Sequence, residues 1–229
     1  MRVANRLYVA LVVGCVLAGI WGCAGKRWGH SLWGSSPPDT VAGVKPPAEK
    51  IKELQELAKR APKASTDEQQ RWSSDLAQQI KNEPDPLVRL QIVRTLSVLR
   101  TPLSSAVLQA ALGDTDADVR IACCDAWGAR GGAEAVQELS KVLTSDTNVD
   151  VRLAAARNMG QTKDATAITA LADALSDSDP AMQRRAVESL RVLSHKDFGN
   201  DVGAWQQYAK GEKPQLKEPS LAERFRKLF

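Results

Sequence analysis

The sequence predicts an all-α protein: a short right-handed α-solenoid of stacked helical hairpins, preceded by a signal or anchor segment and a flexible linker. Three observations carry that prediction. Ala and Leu dominate a chain of 229 residues in which aromatic residues make up only 5%, with two Tyr and three Phe. That balance favours helices over a β-sandwich or barrel. A motif recurs at spacings of 31, 32 and 31 residues, the mark of stacked repeat units. Within each copy the apolar positions fall at offsets 0, 4, 5 and 8, one stripe of a helix and not of a strand. Hydrophobic residues at 43% and charged residues at 25% are enough for a packed core. The net charge of +4 is spread along the chain with both signs mixed, so nucleic acid is not expected as a partner.

The N-terminus supplies residues 1–22, a signal peptide or membrane anchor. Arg2 and Arg6 precede an apolar run from Leu7 to Gly22. Sixteen residues are short for a bilayer span, which needs about 20, but suit a signal-peptide core. The run ends in Ile20-Trp21-Gly22-Cys23, which resembles the lipobox of bacterial lipoproteins. The resemblance implies a lipidated Cys23 as the mature N-terminus. An uncleaved signal anchor and an ordinary secreted product are the other readings. All three export the body of the protein, because the basic residues hold their end inside. Residues 23–47 follow as the lipidated Cys and a flexible tether, rich in Gly, Pro and Ser and without hydrophobic period.

Residues 48–211 form the solenoid. Its first pair of helices is read in PAEKIKELQELAKRAP and STDEQQRWSSDLAQQIKN, with Trp72, Leu76 and Ile80 on one face and Thr66 or Asp67 as cap. The repeat proper begins at Glu83 (EPDPLVRLQIVRTLS) and returns at Asp114 (DTDADVRIACCDAWG), Asp146 (DTNVDVRLAAARNMG) and Asp177 (DSDPAMQRRAVESLR). Val88, Val119, Val151 and Met182 share one column, Leu96, Trp127, Met159 and Leu190 another. Asp85, Asp116, Asn148 and Asp179 precede each stripe by three residues, where a short polar side chain caps a helix. Pro86 and Pro180 sit beside two of them, at the first helical position. Leu108, Leu139 and Leu171, and Leu112, Leu143 and Leu175 four later, mark a second helix in each unit. One such hairpin cannot hide both faces, so neighbours must stack.

The pattern D-x-D-x-x-V-R-x-x-A-A-x-x-x-G, followed by a Leu-bearing helix, resembles the HEAT-like repeats first grouped with phycobilisome lyases. The match covers residues 83–193. It implies a helical-hairpin solenoid and says little of function, because that repeat serves many roles. Downstream, SHKDFGNDVGAWQQYAKG replaces a second helix. Its D-F-G-x-D-x-x-x-W is similar to the closing segment of HEAT-like proteins of bacterial envelopes, with Phe198 and Trp205 covering the end of the stack. Residues 212–229 are a linker and a short amphipathic helix. Leu221 and Phe225 would line one face, and Arg224, Arg226 and Lys227 the other. It docks on its own solenoid, on a partner or on an anionic membrane surface.

The candidate functional residues are few. Arg89, Arg120 and Arg152 occupy one column, with Gln183 at the last unit. They read as an inter-repeat ladder, with Asp116 and Asp150 as nearby carboxylates. Cys123 and Cys124 fill columns held elsewhere by Ile, Ala and Val, and read as small core residues. His195 falls at a helix end. There is no nucleophile elbow, phosphate loop, dinucleotide fingerprint or C-x-x-C. The chain is therefore expected not to be an enzyme and to need no cofactor or metal. The expected function is a cell-envelope lipoprotein, membrane-attached and facing the extracytoplasmic side, whose solenoid binds or scaffolds another protein. The alternatives are a lyase-type or accessory factor for a tetrapyrrole chromophore, as the namesakes of the repeat imply, and a purely structural envelope protein.

Overall fold

A computed structural model describes residues 45–215, all within a compact unit that begins at Lys45. Among them there are ten α-helices and no strand. They come as five pairs: α1 (Pro47–Arg60) and α2 (Thr66–Asn82); α3 (Pro86–Val98) and α4 (Pro102–Ala111); α5 (Ala117–Arg130) and α6 (Gly132–Ser145); α7 (Val149–Met159) and α8 (Thr166–Ala170); α9 (Pro180–Ser194) and α10 (Val202–Ala209). The first helices α1, α3, α5, α7 and α9 pack side by side in chain order. Of the second helices, α2 packs on α4 and α6 on α8. This is a helical solenoid, as the repeat predicts.

The apolar columns form its core. Val88, Val119 and Val151 are fully buried and Met182 nearly so; Ile92, Cys123, Ala155 and Ala186 follow, then Leu96, Trp127, Met159 and Leu190. Each first helix thus gives one stripe to a seam shared with its neighbours. Leu108, Leu139, Leu171 and Leu175 close the seam from the second helices. Truncating any of these Leu to Ala would cost about 2–5 kcal/mol, transfer and cavity together.

The caps stand where the spacing places them. Asp85 accepts the Leu87 N–H at 2.8 Å, Asp116 the Asp118 N–H at 2.9 Å, Asn148 the Asp150 N–H at 2.8 Å and Asp179 the Ala181 N–H at 2.8 Å. For α2 the cap is Ser65, one residue before the expected Thr66 or Asp67. Its hydroxyl accepts the Glu68 N–H at 3.3 Å while Glu68 accepts the Ser65 N–H at 3.0 Å. Both halves of the capping box are formed, by Ser65 and Glu68 three residues on.

The glycine that ends the repeat motif has a packing reason. A Cβ on Gly128 would lie 2.6 Å from Asn158 Oδ1, and one on Gly160 would lie 2.9 Å from the Ser189 Cα. Each glycine lets the following first helix approach. The second helix of the fourth pair of the stack is broken: α8 ends at Ala170 and a 3₁₀ turn follows at Ala174–Ser176, with Leu171 and Leu175 still buried. At the C-terminal end, Trp205 on α10 is fully buried, with the Phe198 ring edge-on at 4.7 Å and Tyr208 at 5.9 Å. The Trp205 indole N–H donates to the Gly199 carbonyl at 3.0 Å.

Candidate functional site

Two features of the stack carry polar side chains in arrays: a ladder along the edge where first helices begin, and a trough along the edge where they end.

The ladder uses different carboxylates from those expected. Arg89 grips Asp114 through Nε and Nη2, both at 2.8 Å, and Arg120 grips Asp146 the same way at 2.8 and 3.1 Å. Asp116 is not a partner, because its carboxylate is spent capping α5. Asp150 is not one either; it stands exposed in the first turn of α7. The working column is Glu83, Asp114, Asp146 and Asp177, the residues that open each repeat. Each also accepts the N–H two residues on: Asp85, Asp116, Asn148 and Asp179. Each carboxylate is therefore fixed by its own turn, and among the described residues Glu83, Asp114 and Asp146 meet a cation of the preceding unit while Asp177 meets none.

The remaining guanidinium nitrogen reaches back. Nη1 of Arg89, Arg120 and Arg152 donates to the carbonyls of Glu83, Asp114 and Asp146, at 3.2, 2.8 and 3.0 Å. Gln183 makes the same bond to Asp177 at 2.7 Å and drops the ion pair. A further rung, which the sequence reading missed, is Lys50 of α1 on Glu83 at 2.9 Å. Arg152 has no ion pair among the described residues.

Electrostatics follows the geometry. Burial works against the Asp114 carboxylate, but Arg89, the Asp116 N–H and Arg120 outweigh it and hold it below the usual carboxylate range. Asp146 is held down likewise, by Arg120, the Asn148 N–H and Arg152 against burial. The hydrogen bond to Asp114 raises Arg89, and that to Asp146 raises Arg120. These charges are consumed in stacking.

Arg130 stitches α5 to α3. Its Nη2 donates to the carbonyls of Leu96 and Leu99, at 3.1 and 2.9 Å, and to Ser104 Oγ at 2.8 Å. A cation there satisfies the open carbonyls at a helix end. Burial, then the nearby Arg100, lowers its affinity for the proton, against Glu134. Cys123 and Cys124 are free and buried. Burial pushes Cys124 up to about 12 and Cys123 in the same direction, so neither supplies a thiolate nucleophile at neutral pH.

The trough measures about 770 Å³. Its lining includes Gly128 and Gly160, the apolar Ile168, Val192 and Leu193, and the polar Lys163 and His195. It draws on the ends of α5, α7 and α9, three separate repeats, so no local sequence signal marks it. His195, expected at a helix end, is the left-handed cap of α9, its N–H donating to the Arg191 carbonyl at 3.1 Å. Cys23 and the tail residues Arg224, Phe225, Arg226 and Lys227 lie outside the described residues. Among the described residues no group of His, Cys, Asp or Glu is placed to hold a metal ion, and no helix is long and apolar enough to cross a membrane.

With this geometry in place, comparison with known proteins is informative on fold. A family model described as HEAT repeats matches residues 73–152 and 136–200, together more than half of the chain. No curated protein matches it. Among solved structures, it is similar to human deoxyhypusine hydroxylase in complex with glycerol, at 21% identity and a TM-score of 0.49, over 54% of this chain and 44% of that one. This chain spans less than half the length of that protein. The expectation that the chain is not an enzyme is corrected here: the similar solved structure is that of a hydroxylase, and that expectation is withdrawn. At that identity the likeness extends to fold alone, and no activity is carried over.

Proposed function

Because the chain belongs to the HEAT repeat family, we propose that it is a protein-interaction scaffold held at a bacterial cell envelope by a lipidated Cys23. The single observation that supports the scaffold is the unbroken seam from Val88 through Val119 and Val151 to Met182. It makes the four repeat hairpins one stack whose outer helix faces and turns form a long continuous surface, the usual route by which helical repeats bind. Energy for binding would come from a few well-placed side chains on that surface.

The anchor rests on the sequence of residues 1–23 and on the Gly-, Pro- and Ser-rich stretch behind it. Several acyl chains on Cys23 would hold the protein stably, at about 0.8 kcal/mol for each buried CH₂. Export places the stack on the extracytoplasmic side, with the tether setting its reach.

Two measurements test the halves separately. Mass spectrometry of the mature protein is expected to find acylated Cys23 as the first residue. An intact Met1 or an unacylated Cys23 would overturn the anchor and leave the scaffold standing. Crosslinking in intact envelopes, comparing the full chain with one lacking residues 212–229, is expected to yield a discrete partner from both. A chain that crosslinks only to itself would overturn the scaffold.

A further inference from the structure

We infer that the trough at the ends of α5, α7 and α9 holds a peptide segment of the partner that carries apolar side chains beside carboxylates. The inference rests on the scaffold reading above and deepens it.

The charge around the trough is one-sided. Lys163 and His195 line it, and no carboxylate does. A hollow of about 250 Å³ adjoins it, sharing Gly160, Gln161 and Val192; its cations Arg157 and Arg185 are already paired, with Asp125 and Glu188, which leaves Lys163 as the open donor. Glu188 accepts from Arg184 at 3.1 Å and Arg185 at 2.8 Å. Lys163 has no ion pair among the described residues, whereas Lys50, Arg89 and Arg120 on the opposite edge each face a carboxylate. An incoming acid would find a donor with no competing bond to break.

Much of the lining is apolar. Val192 is 59% exposed beside the partly buried Leu193 and Ile168. A concave, mostly apolar site of several hundred Å³ with a few polar groups at its rim is the usual form of a binding pocket.

Backbone conformation points to the same place. Lys163 and His195, with φ of 58° and 55°, are the two non-glycine residues of positive φ among those described. Glycine adopts that region at lower cost. Both retain their side chains, and both line the trough, as strain kept at a binding site would require.

The chain's own C-terminal segment is the competing occupant, with Glu223 between Leu221 and Phe225 but Arg224, Arg226 and Lys227 beside them. An enriched peptide that binds a chain lacking residues 212–229 more tightly than the full chain would give the trough that occupant and overturn the proposal.

Peptide display against the full chain tests the inference. The enriched peptides are expected to place Asp or Glu next to Leu, Ile or Phe. A labelled enriched peptide should bind Lys163→Glu and Val192→Asp at least about tenfold more weakly than the parent. It should bind Leu87→Asp, at an exposed site on the far helix α3, unchanged. All three substitutions are at exposed positions, and thermal melts verify that each variant folds.

Enriched peptides without acids, or binding indifferent to Lys163→Glu, would overturn the inference. Loss through Leu87→Asp instead would leave the scaffold standing and discard the trough. So would failure to enrich any peptide while a partner still crosslinks in envelopes. A Lys163-dependent dimer, or Lys163-dependent binding to phosphatidylglycerol vesicles with no peptide enriched, would give the trough another occupant and overturn the proposal.

Discussion

The joint between α5 and α7 and the joint between α7 and α9 follow one repeat template and treat charge differently. At the first, Arg120 holds Asp146 through two bonds, and Asp125 receives Arg157 at 2.5 Å and Asn158 at 2.7 Å. At the second, Arg152 reaches only the backbone carbonyls of Asp146 and Thr147, and Gln183 stands where the next Arg would be. The second helix beside this joint is also broken, at Ala170. The contrast teaches that stacking and binding compete for the same charges. Where a cation is closed into a rung, it stabilises the stack and is lost to a partner. Where the template relaxes, cations remain at the surface.

The largest effect that would sharpen this contrast is loss of a rung. Arg120 is 14% exposed and Asp146 9% at their side chains. Arg120→Ala would leave a largely buried carboxylate and two carbonyls without their donor. It should cost about 3 kcal/mol, the lower end for a broken buried pair. Arg152→Ala should cost about 1 kcal/mol, since this half-buried cation gives up a hydrogen bond to the Asp146 carbonyl and no ion pair. Denaturant titration of both variants is the measurement, and equal losses would erase the distinction between the joints.

Gly160→Ala probes the α7–α9 joint through packing. The new methyl would press on the Ser189 Cα, which is backbone and cannot rotate away. The helices must part, at a cost of about 2 kcal/mol. A variant as stable as the parent in the same titration would mean that this joint is loose enough to absorb a methyl.

A smaller effect lies in pH. Asp114 and Asp146 are held below the ordinary carboxylate range. The stability they contribute is complete above about pH 4, the unfolded carboxylate value, and is lost as pH falls through their lower folded values. Melts across the acid range should show Asp146→Asn with a shallower loss of stability than the parent. An identical slope would mean that the rungs do not titrate with folding.

The seam was legible in the sequence because it is local. Offsets of 0, 4, 5 and 8 recur within single helices, and the caps at Asp85, Asp116, Asn148 and Asp179 precede them at fixed distance. The ladder was half legible. The Arg column was plain, but D-x-D offers two acids, and spacing does not say which one faces the neighbouring unit. The answer lay in the direction of side chains: the second acid points along its own helix as a cap, the first across to the neighbour. Lys50 was hidden because α1 lacks the repeat motif. The trough was not legible at all. It is assembled from three helix ends, and the positive φ of Lys163 and His195 falls on residues that do not announce it.

Those two residues give the smallest effect and the sharpest one for the comparison of joints. A non-glycine residue in the left-handed region costs roughly 1–2 kcal/mol, which glycine avoids while losing more backbone entropy in folding. Lys163→Gly and His195→Gly should therefore each stabilise the fold by about 0.5–1 kcal/mol, a rise in melting temperature of about 1–4 °C at this size. Neither side chain has a recorded ion pair to lose among the described residues. Scanning calorimetry of the two variants, with peptide binding measured on the same samples, checks the expectation. A gain in stability joined to a loss of binding would mean that the joint left without a closed rung carries its strain for the surface it offers. A loss of stability would instead assign the two side chains to the stack, and the difference between the joints would then be one of packing alone.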